Sequence, residues 1–198
     1  MKNFNFSRRA ELILAALFVV SFAFFGCKPD APVNTLPAGI VELSENDTLV
    51  GKWVDSYKSV YEISTSDFKN YGEGYSSYEG NNLVVGYTND AKTEGYIYIK
   101  YTKAYESTST EPTEDKDTWT HSPANPEWGT PESWYRYSTT APDVGKWYAI
   151  AFKDLSANAI QISGAYGTKS STASLEEAIA EFTIEKGYFA QFSACTKQ

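Results

Sequence analysis

The chain has 198 residues with 17 basic and 25 acidic side chains, a net charge of −8. That length suits one domain with a real core, and the acidic balance disfavours nucleic acid, whose phosphates would be repelled. Two cysteines and one histidine are too few for a disulfide scaffold or a transition-metal centre, so no cofactor is expected.

The first element is an export signal. Lys2, Arg8 and Arg9 form a positive head, an apolar run from Leu12 to Phe25 is broken only by Ser21, and Gly26-Cys27 follows. The run has 14 residues, whereas a membrane-spanning helix needs about 20. A charged head, a short apolar core and a small residue before a cysteine resemble a bacterial lipoprotein signal. The usual lipobox, Leu-(Ala/Ser)-(Gly/Ala)-Cys, reads Phe24-Phe25-Gly26-Cys27 here and is similar to the looser boxes of spirochaete lipoproteins. The resemblance implies a signal peptide over 1–26 and acyl chains such as palmitate on Cys27. It places the protein in the bacterial cell envelope, held by lipid to the outer membrane. Each buried methylene contributes about 0.8 kcal/mol, so two or three chains anchor durably where one holds marginally. Cleavage removes three positive charges and one negative, leaving 172 residues with a net charge of −10.

Residues 27–48 read as the lipidated cysteine and a flexible tether, since Pro29, Pro32 and Pro37 interrupt a small, polar stretch. From Leu49 the composition turns to tyrosine, valine, isoleucine and threonine in apolar–polar alternation. Strands are predicted at Leu49–Ser56, Val60–Thr65 with an extension towards Tyr71, Gly74–Tyr78, Leu83–Thr88 and Gly95–Tyr105. Turns are predicted at Glu79-Gly80-Asn81-Asn82 and Asn89-Asp90-Ala91. Short joints of this kind pair neighbouring strands antiparallel.

Residues 106–145 break the pattern with a polar, acidic run from Ser107 and four later prolines, Pro123, Pro126, Pro131 and Pro142. Connections of that size are functional or disordered as a rule. Trp119, Trp128, Trp134, Tyr135 and Tyr137 argue for partial order, with a hairpin of Asp117–His121 against Ser133–Ser138. His121 reads as a surface histidine.

Strands resume at Lys146–Lys153 and Ala159–Ala165, joined by a turn at Ser156-Ala157-Asn158. Ser174 with Glu177 forms a capping box. Leu175, Ala178, Ile179 and Phe182 then make one apolar stripe, and Gly187 is expected to end this amphipathic helix. A last strand is predicted at Tyr188–Ala194, with Cys195 packed beside it. About eight strands suffice to close a barrel.

Gly51-Lys52-Trp53 opens the first strand, and a Gly-x-Trp there resembles the lipocalin group. The resemblance, over residues 49–195, implies an antiparallel up-and-down barrel of about eight strands with one late helix. It also implies Gly51 and Trp53 as the structural motif, the tryptophan plugging the closed end, and a small hydrophobic ligand at the other mouth. Gly145-Lys146-Trp147 repeats the pattern, so Trp147 is expected as a second plug. The family's Thr-Asp-Tyr motif is absent, Thr88-Asn89-Asp90 being the nearest match. The arginine that covers the tryptophan from near the last strand is also missing, because the final arginine is Arg136.

A non-catalytic binding role follows. There is no Gly-x-Ser-x-Gly elbow, no His-Glu-x-x-His and no phosphate-cradling glycine loop. The first reading is a small apolar ligand held in the barrel, with Tyr96, Tyr98 and Tyr101 supplying rings. The alternative is a surface that binds a host or envelope protein, or a glycan, through Trp119, Trp128, Trp134 and Tyr135.

Overall fold

The structure, a computed structural model, describes residues 36–198. The expected signal peptide, Cys27 and the tether up to residue 35 lie outside the described residues. The chain forms β1 (Ile40–Val41), β2 (Gly51–Asp55), β3 (Val60–Ile63), β4 (Phe68–Gly72), β5 (Tyr75–Tyr87) and β6 (Gly95–Thr108). After these come β7 (Thr120–Ser122), β8 (Ser133–Ser138), β9 (Trp147–Lys153), β10 (Ala159–Gly164), α1 (Leu175–Glu181) and β11 (Ser193–Lys197).

Eight strands close into an antiparallel barrel in the order β2-β3-β4-β5-β6-β9-β10-β11, with β11 pairing back onto β2 through Cys195↔Asp55 and Lys197↔Trp53. This is the predicted mainly-β architecture, and its alternation is legible strand by strand. On β6, Ile97, Ile99 and Tyr101 join the interior core, while Tyr96 and Tyr98 face outward. On β9, Tyr148, Ile150 and Phe152 face in, and Ala149 and Ala151 face out. The small outward residues leave room for α1, whose Leu175, Ala178 and Phe182 form a second, outer core with Val84, Tyr98, Tyr188 and Phe189. Burying a ring such as Phe182 contributes about 1.5–3 kcal/mol.

Several expectations are corrected. The predicted turn at Glu79–Asn82 lies in the middle of the continuous strand β5, whose register against β6 shifts there. A Cβ on Gly80 would lie 2.7 Å from Ile99 Cδ1, so this glycine permits a close approach at a bulge rather than a chain reversal. The reversal occurs earlier, at Gly72–Tyr75, where Gly74 has φ +80°. The predicted extension of the second strand to Tyr71 is a separate strand, β4, because Ser64–Asp67 forms a turn held by Asp67 N–H to Ser64 Oγ at 2.8 Å.

The predicted last strand, Tyr188–Ala194, is mostly a strap. Tyr188 and Phe189 are consecutive and both buried against the α1 core, which period-two alternation forbids, and β11 begins only at Ser193. The order also begins before residue 49: β1 pairs with β5 through Ile40↔Gly86 and Val41↔Val85, and Leu43 is buried. Trp147 plugs nothing. It sits part-buried on the outer core, its backbone bridged to Thr172.

Candidate functional site

Three places in the molecule bear on function, the first being the barrel end at which β2 begins. Trp53 is fully buried there, and its indole N–H donates to Leu49 O at 2.8 Å. Lys197, on β11, lays its ammonium 4.9 Å over the Trp53 ring and donates to Thr48 O at 2.9 Å. Lys197 thus covers the Trp53 ring from β11 by a cation–π contact. The Tyr87 hydroxyl donates to Asp47 Oδ2 at 3.0 Å, so residues 47–49 are tied to β2, β5 and β11 at once. Burial, then Asp47, pushes the Tyr87 phenol well up. Gly51, with φ +145°, and the buried Trp53 are thus tied into this end of the barrel through residues 47–49 and Lys197.

The second place is the interior. Trp53, Phe68, Ile97, Ile99, Ile150, Ile160 and Ile162 are all buried at 2 % exposure or less. Towards the opposite end the filling becomes tyrosine. Phe68 stacks on Tyr78 at 5.6 Å, Tyr78 meets Tyr148 at 5.3 Å, and Tyr148 stacks on Tyr101 at 4.8 Å. Tyr148 donates to Ala165 O at 2.9 Å. Burial, reinforced by the neighbouring phenols, pushes Tyr78 and Tyr101 well above the ordinary phenol value. Cys195 is 3 % exposed, and burial pushes its thiol up to about 12, so it behaves as a small core residue. Tyr96 and Tyr98, expected to line the barrel, instead lie outside it beneath the α1 core.

The third place is the excursion, which is a small sheet. Beyond Lys103, β6 leaves the barrel and pairs with β8 from Ala104↔Ser138 to Thr108↔Trp134. β7 then pairs with β8 through Thr120↔Tyr135, His121↔Trp134 and Ser122↔Ser133, the predicted hairpin. Alternation divides the predicted binding residues between two faces. On one face His121 stacks on Trp134 at 4.9 Å and pairs with Glu132 Oε1 at 2.7 Å. On the same side Arg136 lies 4.4 Å over the Trp119 ring and pairs with Glu106 Oε1 at 2.7 Å. On the other face Tyr135 stacks on Tyr105 at 5.9 Å, and Tyr137 meets Tyr105 edge-on at 5.7 Å. Trp128 belongs to neither ladder. It stands in the turn between β7 and β8 with 78 % of its surface in solvent. The sequence shows the aromatic supply but misses Arg136 and Tyr105, which only the β6–β8 register reveals.

Fold and surface together define a closed eight-stranded antiparallel barrel from which an aromatic three-stranded sheet projects. No protein-family model, no curated protein and no solved structure matches the chain.

Proposed function

We infer that this is an envelope-anchored lipoprotein with a non-catalytic binding role, in which the barrel is the scaffold and the projecting sheet β6-β8-β7 is the binding surface. The anchor rests on the charged head, the short apolar run and Gly26-Cys27. The observation that favours the sheet over the lumen is the filling of the barrel by its own side chains. A small apolar ligand inside would have to displace Tyr78, Tyr101 and Tyr148 from one another.

The sheet, by contrast, offers rings with an exposed side, and Trp128 as an anchor ready to be buried. Residues 106–145 carry eight acidic and two basic side chains, which suits a neutral or cationic partner protein and repels an anionic surface. A photo-crosslinker placed at position 128 in the native cell should capture a discrete partner. One placed at Tyr57, which is equally open to solvent at 85 % exposure, should not. Equal capture at both positions would remove the sheet as the binding surface. Loss of membrane attachment and of palmitate labelling in Cys27→Ser, with the wild-type chain labelled, tests the anchor separately.

A further inference from the structure

We propose that the cleft between the outer face of β10 and the strap Gly187–Phe192 binds a small, neutral, flat amphiphile carrying one hydrogen-bonding group. This site is distinct from both the barrel lumen and the projecting sheet. Its volume is about 630 Å³, within the range of roughly 300–1,000 Å³ typical of small-molecule sites. Its floor is Ser163 and Gly164, and Gly187, Tyr188 and Ala190 form a wall. The neighbouring Ile160 and Ile162 face the lumen, so alternation turns Ser163 outward into the cleft.

Three observations point to the ligand. Ser163 is only 4 % exposed, yet its hydroxyl makes one hydrogen bond among the described residues, a long one of 3.4 Å to the adjacent Gly164 O. A buried hydroxyl held so weakly has unused capacity, and a polar group in that position usually finds a better partner. Of the other polar side chains at the cleft, Tyr188 is already engaged, bonding Glu181 Oε1 at 2.6 Å and Thr168 Oγ1 at 3.1 Å. Tyr166 and Gln191 stand at the exposed rim. The ligand therefore meets one polar contact at its buried end.

Flatness comes from the walls. Gly164 and Gly187 line the cleft without side chains of their own, and Tyr188 lines it beside them. The Tyr166 ring stands at the rim with 89 % of its surface exposed, although its own N–H is fixed to Tyr188 O at 2.8 Å. A solvent-exposed ring at the rim, on backbone tied to the strap, can stack on a planar guest. Neutrality follows from the lining, none of which is charged.

The test titrates the full-length chain with naphthol, following probe fluorescence, and with naphthalene as the ring lacking its hydroxyl. Naphthol should bind saturably and about tenfold more tightly than naphthalene, the difference of one hydrogen bond to a buried partner. Ser163→Ala should bring the two probes to equal affinity. Tyr166→Ala should weaken both by about tenfold, a loss the solvent-exposed ring makes independent of folding. Ala190→Trp, built on an exposed residue and checked by circular dichroism, should abolish both by filling the cleft. Absent saturation, or binding that survives both Tyr166→Ala and Ala190→Trp, overturns the proposal, because the probe is then elsewhere. Neither result touches crosslinking at position 128, so the two sites stand or fall separately.

Discussion

Gly51 shows how one residue type can be required by two constraints at once. Its φ is +145°, a region that L side chains rarely adopt. A Cβ there would also lie 2.6 Å from Lys197 Cε, the methylene that carries the ammonium across Trp53. Trp53, between them, is fully buried and bonded to Leu49 O. Gly51→Ala should therefore cost about 1–3 kcal/mol from backbone strain, plus a steric part from Lys197. The two parts separate in a double-mutant cycle. In a Lys197→Ala background the steric part vanishes, so Gly51→Ala should cost less there, and chemical denaturation of the four proteins measures it. An undiminished cost in that background would mean that Lys197 moves aside freely and that only the dihedral matters.

Among the elements, α1 is short and depends on its ends and its buried stripe. Ser174 Oγ accepts from Glu177 N–H at 3.2 Å, while Glu177 Oε2 accepts from Ala173 N–H at 3.0 Å, one residue earlier than a strict box. Phe182, at its C-terminal cap, is fully buried between Tyr148 at 6.1 Å and Tyr188 at 5.1 Å. Ser174→Ala should lower stability by about 1 kcal/mol. Phe182→Ala should cost about 3–5 kcal/mol, because it opens a cavity between helix and barrel. Thermal melts rank the two, and a Phe182→Ala no worse than Ser174→Ala would mean that α1 is dispensable to the barrel. The capping box and the stripe were legible because both are local patterns. So was the Asp117–Ser138 hairpin, since aromatic supply is carried by neighbours in sequence. The strand count agrees because two errors cancel, β4 being read as part of the strand before it and β5 as two strands. Gly80-Asn81-Asn82 was misread as a turn because glycine and asparagine serve bulges as well as reversals, and only contact with Ile99 decides between them. The Tyr188–Phe192 strap was misread as a strand because the core it buries belongs to α1. Lys197 over Trp53 and Arg136 over Trp119 were invisible for the same reason, each joining strands that meet only when the sheet pairs.

At the scale of the whole molecule, the tyrosine filling gives the barrel a distinctive response to alkali. Tyr78, Tyr101, Tyr148 and Tyr98 all have phenols pushed above the ordinary value, in each case first by burial and then by neighbouring phenols. In the unfolded chain these groups lose their protons at about pH 10. Folded, they hold them, so above that pH the native state binds more protons than the unfolded one, and stability falls as pH rises. Below about pH 10 the contribution is fully present, because both states are then protonated. A rise in pH should therefore leave the tyrosinate absorbance of this set absent until the sheet signal in circular dichroism collapses, and the two should change together. Tyr98 isolates the effect, since its ring lies beneath α1 and its hydroxyl makes no hydrogen bond among the described residues. Tyr98→Phe should leave neutral stability nearly unchanged while making the alkaline loss shallower, because one proton is removed from the linkage. Tyrosinate absorbance that grew to completion over an intact sheet signal would show that water reaches these rings, and with it that the lumen is open enough to admit a guest.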